Sequence, residues 1–560
     1  MGDLLVRGGT VVDGTGAPGR RGDVRVRGGS IVEVGEGLRP DGEQVVDAAG
    51  ACVAPGFIDN HTHYDPTLWW DPACDPMPQH GVTSVLTGNC SLSLAPMRPG
   101  HRDGVVAVFS FIEDIPAAAF AASVPWSWES YPEYAKALGE RTFGLNVAQL
   151  VGHSPLRLFV MGDEAWDRPA TEAERGELAA VLHSCLAAGA FGLSTSFFDE
   201  DATGRPVPSQ LADDAEHGAL FDVLAEHGRF VEFIPGLNGR HPLRDVDRLA
   251  ALSGPRGVVA TFNGVFHSSV APDRARRWLD HCAELQAAGT PMYAQVSPRT
   301  LDMRISWDNS LLMMALKDSW SEVLRARGEE MRRLLEDPAW RARARHDWDT
   351  NLPPISPLRR LDALRFIEVS KPENEVWLGR TLAELIAARG GHVSDVLADW
   401  VLDNDLAPGI VAAGVANEDP AGVAGTLVHP GAVVGNSDAG AHVQMMCASG
   451  DTTLLLTRHV RDRGDLTVER AVHELTGRQA ELFGFRRRGV IEPGRAGDLV
   501  VFALDELHWD PDVFVADLPD GSSRLRRPEG GYRYTVVDGT VTQEGGTLTG
   551  AQPGRLLTDG

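Results

Sequence analysis

Pro55-Gly56-Phe57-Ile58-Asp59-Asn60-His61-Thr62-His63 is the stretch whose reading decides the fold. A short apolar run ends in two histidines one residue apart, and side chains two apart on a strand face the same side. Such a pair delivers both imidazoles to one point, where they can hold a metal ion such as zinc once carboxylate, thiolate or water completes the shell. Two solvated or capping histidines at a loop start would carry the same spacing. The remainder of the chain has to choose.

Working outward, residues 3–56 are rich in Val and Gly, with turn signals at Asp13-Gly14-Thr15-Gly16 and Arg27-Gly28-Gly29, and they read as short antiparallel strands. The tail from 488 to 550 has the same texture, in Leu499-Val500-Val501-Phe502 and in Tyr534-Thr535-Val536-Val537-Asp538-Gly539. Two strand-rich ends around a different middle predict one small β domain assembled from residues 1–55 and 486–560. The middle, 56–485, alternates short apolar runs with longer Ala/Leu/Arg/Glu-rich stretches, the pattern of repeated βα units. Candidate strands lie at 56–63, 82–88, 145–151, 191–196, 230–234, 258–262, 291–296 and 432–436. Eight such units close an α/β barrel whose chemistry sits at the C-terminal strand ends. His63, Cys90, His153 and Asp438 all fall at or just past those ends. A long insertion, about residues 300–430, separates the last two strands; it holds 307–316 and an amphipathic helix expected over 320–347, either a lid or a helix on the barrel wall.

The bulk properties narrow the function classes. A net charge of -26 argues against nucleic acid or an anionic membrane surface as partner. No basic leader with a long apolar region opens the chain, and the six cysteines lack paired spacing, so a reducing cytoplasm is the expected compartment. Lysine is nearly absent, with only Lys136, Lys317 and Lys371.

Gly435-Asn436-Ser437-Asp438-Ala439-Gly440-Ala441-His442 follows the eighth strand and sets Asp438 across the barrel mouth from His61 and His63. A carboxylate there can bind metal and also take a proton from water.

With these segments in place the chain resembles the amidohydrolase superfamily, metal-dependent hydrolases built as a distorted (β/α)8 TIM barrel with a β-sandwich made from both ends. The resemblance rests on 55–63, on Ser437-Asp438, and on Pro493-Gly494-Arg495-Ala496-Gly497-Asp498-Leu499-Val500. Gly81-Val82-Thr83-Ser84-Val85-Leu86-Thr87-Gly88-Asn89-Cys90, Leu94-Ala95-Pro96, Val151-Gly152-His153-Ser154-Pro155-Leu156-Arg157 and Gly189-Ala190-Phe191-Gly192-Leu193-Ser194-Thr195 are similar to the N-acyl-D-amino-acid deacylase (D-aminoacylase) branch. The resemblance implies a cysteine metal ligand after the second strand, matched by Cys90. The carbamylated lysine that bridges two metals in many relatives has no counterpart, because the fourth strand ends in Leu193-Ser194-Thr195-Ser196. The branch also draws histidine ligands from the fifth and sixth strands and a substrate-binding lysine beside the sixth. Here those strands read Phe230-Val231-Glu232-Phe233-Ile234 and Val258-Val259-Ala260-Thr261-Phe262, with His241 and His267 only some residues beyond.

These departures lead to an expected centre of one zinc ion per chain held by His61, His63 and Asp438, with Cys90 contributing or vestigial. Asp438 would shuttle the proton. His153 could polarise the carbonyl or hold substrate, Arg299 could pair with a substrate carboxylate, and Tyr293 and His442 are further substrate-contact candidates. Trp69, Trp70, Trp126 and Trp128 could line an acyl pocket or pack the long loops. The expected reaction is hydrolysis of a linear amide C–N bond in an N-acyl amino acid or related small amide. Hydrolysis of a cyclic amide, imide or lactone, or a catalytically silent binding subunit, are the alternatives. A homo-oligomer is expected by analogy with the superfamily.

Overall fold

The computed structural model describes residues 2–236, 243–305, 307, 319–352 and 356–558. Eight parallel strands occur in the order of the chain: β1 (Phe57–Asp59), β2 (Val82–Thr87), β3 (Asn146–Gly152), β4 (Gly192–Ser196), β5 (Phe230–Ile234), β6 (Ala260–Phe262), β7 (Met292–Val296) and β8 (Ala432–Val434). They form a TIM-like barrel. Alternation along each strand sorts the side chains. Phe57, Val231, Phe233, Ala294 and Val296 join the core shared with the surrounding helices, whereas Ile58, Leu86, Phe230 and Val433 form a separate apolar layer closed by Phe483 and Phe485. Two residues further along the inner face, β5 and β7 present Glu232 and Gln295 instead. The interior therefore changes from apolar to polar toward the C-terminal strand ends.

The seam between β1 and β8 is stitched just past the strand ends. His63 N–H donates to the Ala439 carbonyl at 2.8 Å, and Asp438 N–H donates to the His61 carbonyl at 3.0 Å. Gly435 permits this approach, since a Cβ there would overlap the Asn60 amide. The two segments expected to carry the metal ligands are thus the ones that close the barrel.

Both chain ends build a single nine-stranded sheet, with Leu4–Val11 and Cys52–Pro55 at its centre and Leu499–Phe502 paired antiparallel to Cys52–Pro55. Asp498, in the Pro493–Val500 phrase, fastens this sheet to the barrel: its carboxylate meets Arg488 at 2.7 Å, Asn146 Nδ2 at 3.2 Å and Asp538 N–H at 2.7 Å.

The insertion has a core of its own, including Trp320, Trp340, Leu382, Trp400 and Ile410, around a three-stranded antiparallel sheet. Where one helix was expected over 320–347, three occur: Ser319–Arg325, Gly328–Glu336 and Pro338–Thr350. Gly328 adopts a φ of +51°, and Pro338 cannot continue a helix but starts the next one, capped by Asp337. Of the stretch 307–316, only Trp307 lies among the described residues. All six cysteines are free, and no helix among the described residues is long and apolar enough to cross a membrane.

Candidate metal centre

His61 and His63 follow β1 and are almost completely buried. Their Nε2 atoms lie 3.5 and 3.2 Å from Oδ1 of Asp438, and His61 Nε2 lies 3.2 Å from Cys90 Sγ. Ligand atoms of His61, His63 and Cys90 all fall within 4.8 Å of one another. A tetrahedral zinc site with bonds of about 2.1 Å has edges of about 3.4 Å, which the His61–Asp438, His63–Asp438 and His61–Cys90 separations match. The residues fit a zinc-like ion.

Each imidazole is gripped on its far side. His61 Nδ1 meets Gln295 Oε1 at 2.8 Å, and His63 Nδ1 lies 3.3 Å from Glu113 Oε1. With Gln295 Oε1 there, His61 Nδ1 carries the proton and its Nε2 keeps a lone pair for the metal corner. Burial would lower His63, but the Glu113 charge and Asp438 raise it to about 10, so its Nε2 gives up a proton when a cation takes that place. Glu113, at the end of helix Arg102–Ile112, also faces His442, whose Nε2 is 3.9 Å from Glu113 Oε2 and 3.6 Å from Asp438 Oδ2. Glu232 on β5 accepts the Cys90 N–H at 2.9 Å.

Asp438 is the most open of the set, its side chain 20% exposed. Burial alone would raise its carboxyl, but the hydrogen bond and charge of His63, with His442 and His61 beside it, hold it well below the usual carboxylate range. Burial lowers His61 to about 4, so it stays neutral and ligand-ready at pH 7. Burial raises the Cys90 thiol well above its ordinary value, with Glu232 and Asp438 adding to the effect. Cys90 becomes a thiolate only if a cation shares the site.

The structure brings together His61, His63, Asp438, Cys90 and His442. It commits the other candidates elsewhere. His153 places Nδ1 3.0 Å from Thr195 Oγ1 and Nε2 2.8 Å from Glu216 Oε1, so both ring nitrogens are engaged inside the protein. Arg299 is buried and donates to the Ser437 carbonyl at 2.7 Å and the Cys447 carbonyl at 2.9 Å, clamping the turn that carries Asp438. Tyr293 precedes Gln295 by two residues and packs with the apolar layer deep in the barrel. His267 faces Asp419 at 3.7 Å, and His241 lies outside the described residues. Trp69 and Trp128 stack at 4.8 Å within the core, whereas Trp70 lines a small cavity with Tyr64, Ile115, Met446 and Leu525 beside the Asp438 turn.

A barrel of eight parallel strands with a histidine pair after the first and an aspartate after the last defines a metal-dependent hydrolase site. The chain belongs to the amidohydrolase family, whose model matches residues 44–305 and 380–543. It is similar to the N-acyl-D-aspartate deacylase of Alcaligenes xylosoxydans xylosoxydans, 29% identical over 100% of this chain and 95% of the relative. Among solved structures it is similar to N-acyl-D-glutamate deacylase from Bordetella bronchiseptica complexed with zinc and a phosphonate mimic of the tetrahedral intermediate, at TM-score 0.69 and 26% identity, covering 100% and 99% of the two chains. A D-aminoacylase with a binuclear metal centre, described by one-metal activation and second-metal attenuation, matches at TM-score 0.68 and 25% identity over 100% of both chains.

Proposed function

We propose that this protein is a zinc-dependent amidohydrolase that cleaves the linear amide C–N bond of an N-acyl amino acid or a related small amide. The observation that carries this reading is the placing of Asp438 Oδ1 against Nε2 of both His61 and His63, with Cys90 grouped with the same two histidines on the other side. The likeness to deacylases, one of them complexed with zinc, supports it.

His61, His63 and Asp438, with Cys90 beside them, would hold a zinc ion, which would supply an activated water at neutral pH and polarise the scissile carbonyl. Asp438, ionised at pH 7 and open toward the mouth, takes the proton of the attacking water on its carboxylate and passes it to the departing amide nitrogen. His442 lies within 3.6 Å of Asp438 Oδ2 and orients that oxygen. Gln295 holds the His61 imidazole with Nε2 free, and the Glu113 carboxyl faces Nδ1 of His63 from behind the ring. His153 is a positioning residue: it opens the helix after β3 and fixes it to Thr195 at the end of β4.

One working ion is the expected number, in keeping with the one-metal activation of the similar D-aminoacylase. Release of free amino acid from a panel of N-acetyl-D- and N-acetyl-L-amino acids by zinc-loaded protein tests the reading. Turnover of cyclic imides or lactones with none of the N-acyl amino acids would overturn it.

A further inference from the structure

Cys90 stands on a backbone that resists it. Cys90 and Ser91 adopt φ values of +57° and +66°, a left-handed pair that non-glycine residues rarely take. Something must hold this turn if the thiol is to stay 3.2 Å from His61 Nε2. Ser91 is fixed from one side, its N–H donating to Ser194 Oγ at 3.0 Å. Cys90 is fixed from the barrel interior, its N–H donating to Glu232 Oε2 at 2.9 Å. Glu232 is fully buried in the middle of β5, and its second oxygen has no hydrogen-bond partner among the described residues. That oxygen lies 4.0 Å from His61 Nδ1. A buried carboxyl group with one oxygen satisfied by a backbone N–H and the other by nothing is costly as mere packing, where an apolar residue would serve better. It suits a group kept to hold the Cys90 turn.

We propose that Glu232 is the positioning residue that makes Cys90 a metal ligand: it pins the Cys90 turn through the backbone N–H, from behind the His61–Cys90 edge of the metal corner. On this chain β5 thus serves the centre through a carboxyl group behind the ligands. The proposal rests on the metal-dependent reading of the site.

Cobalt-substituted protein gives the direct readout, because a thiolate bound to cobalt produces a charge-transfer band that histidine and carboxylate ligands do not. The wild type shows the band and Cys90→Ser lacks it. Glu232→Gln, which keeps an oxygen to accept the Cys90 N–H, retains most of the band, while Glu232→Ala loses at least half of it and binds cobalt roughly 10-fold or more weakly. If Glu232→Ala does not fold, as judged by circular dichroism, Glu232→Asp takes its place: the shortened side chain falls away from the Cys90 N–H and the band weakens. A full band in folded Glu232→Ala, or in Glu232→Asp, overturns the role of Glu232 and leaves the Cys90 assignment standing. No band in the wild type, with cobalt bound, overturns both and leaves the His61, His63 and Asp438 reading to its own test.

Discussion

Glu113 Oε1 sits 3.3 Å from His63 Nδ1, on the side of the ring away from Asp438, and its other oxygen faces His442. One carboxylate from the helix between β2 and β3 therefore orients an imidazole delivered by β1 and touches the turn after β8. Glu113→Ala removes that grip and is expected to weaken metal binding by about 10- to 100-fold, with Glu113→Gln retaining most of the affinity. Competition with a chelator of known affinity measures both. Equal affinity in Glu113→Ala and the wild type would remove Glu113 from the centre.

Asp438→Asn keeps the shape of the side chain and removes its capacity to carry a proton. Turnover is expected to fall by roughly 10²- to 10⁴-fold, while the fold is retained. Steady-state rates on the best substrate, with metal content measured on the same samples, check this. Near-normal turnover would rule out the proton shuttle.

The His153, Glu216 and Arg157 side chains form a buried cluster in which Glu216 bonds both neighbours. Burial would raise the Glu216 carboxyl, but His153 and Arg157 bring it down to about 2. Glu216→Ala leaves the Arg157 guanidinium buried without its counter-charge and is expected to destabilise the protein by about 3–5 kcal/mol. Urea unfolding at neutral pH measures the loss. A change below about 1 kcal/mol would show that the cluster carries little of the barrel's stability.

His80 tests the acid side of the stability profile. It is buried, its Nδ1 is 2.8 Å from Thr453 Oγ1, and burial first and the Arg527 charge next lower its pKa from 6.5 to about 3. The folded state keeps His80 neutral where the unfolded chain takes up a proton. Its contribution is therefore fully present above pH 6.5 and is lost as pH falls toward 3. Replacing it with a group that does not titrate should flatten the dependence: between pH 6 and 4, His80→Asn is expected to lose less stability per pH unit than the wild type, by about 1.4 kcal/mol. Parallel slopes would contradict a neutral His80.

Much of the architecture was legible because it rests on repeated patterns. The alternation of apolar runs and helical stretches located all eight barrel strands, and the paired strand-rich ends anticipated the shared terminal sheet. His61, His63, Asp438, Cys90 and His442 were legible as motifs at strand ends. Glu113 was not, because it sits at the end of a helix in a long connection where no spacing marks it. Glu232 and Gln295 did leave a signal: a charged or amide side chain inside otherwise apolar strands that face a barrel interior. His153, Arg299 and Tyr293 share the neighbourhood of strand ends, but sequence position does not say which partners claim a side chain. Thr195 and Glu216, the Ser437 and Cys447 carbonyls, and the apolar layer claim these three.

The most direct test is a zinc titration of chelator-stripped protein, with bound metal and amide hydrolysis measured on the same samples. Activity on N-acyl amino acids should rise with the first equivalent of zinc and level off near one ion per chain, and His61→Ala should bind less zinc and show no turnover. Hydrolysis that persists in metal-free protein, or activity that appears only with a second bound equivalent, would contradict a single working ion held by His61, His63 and Asp438.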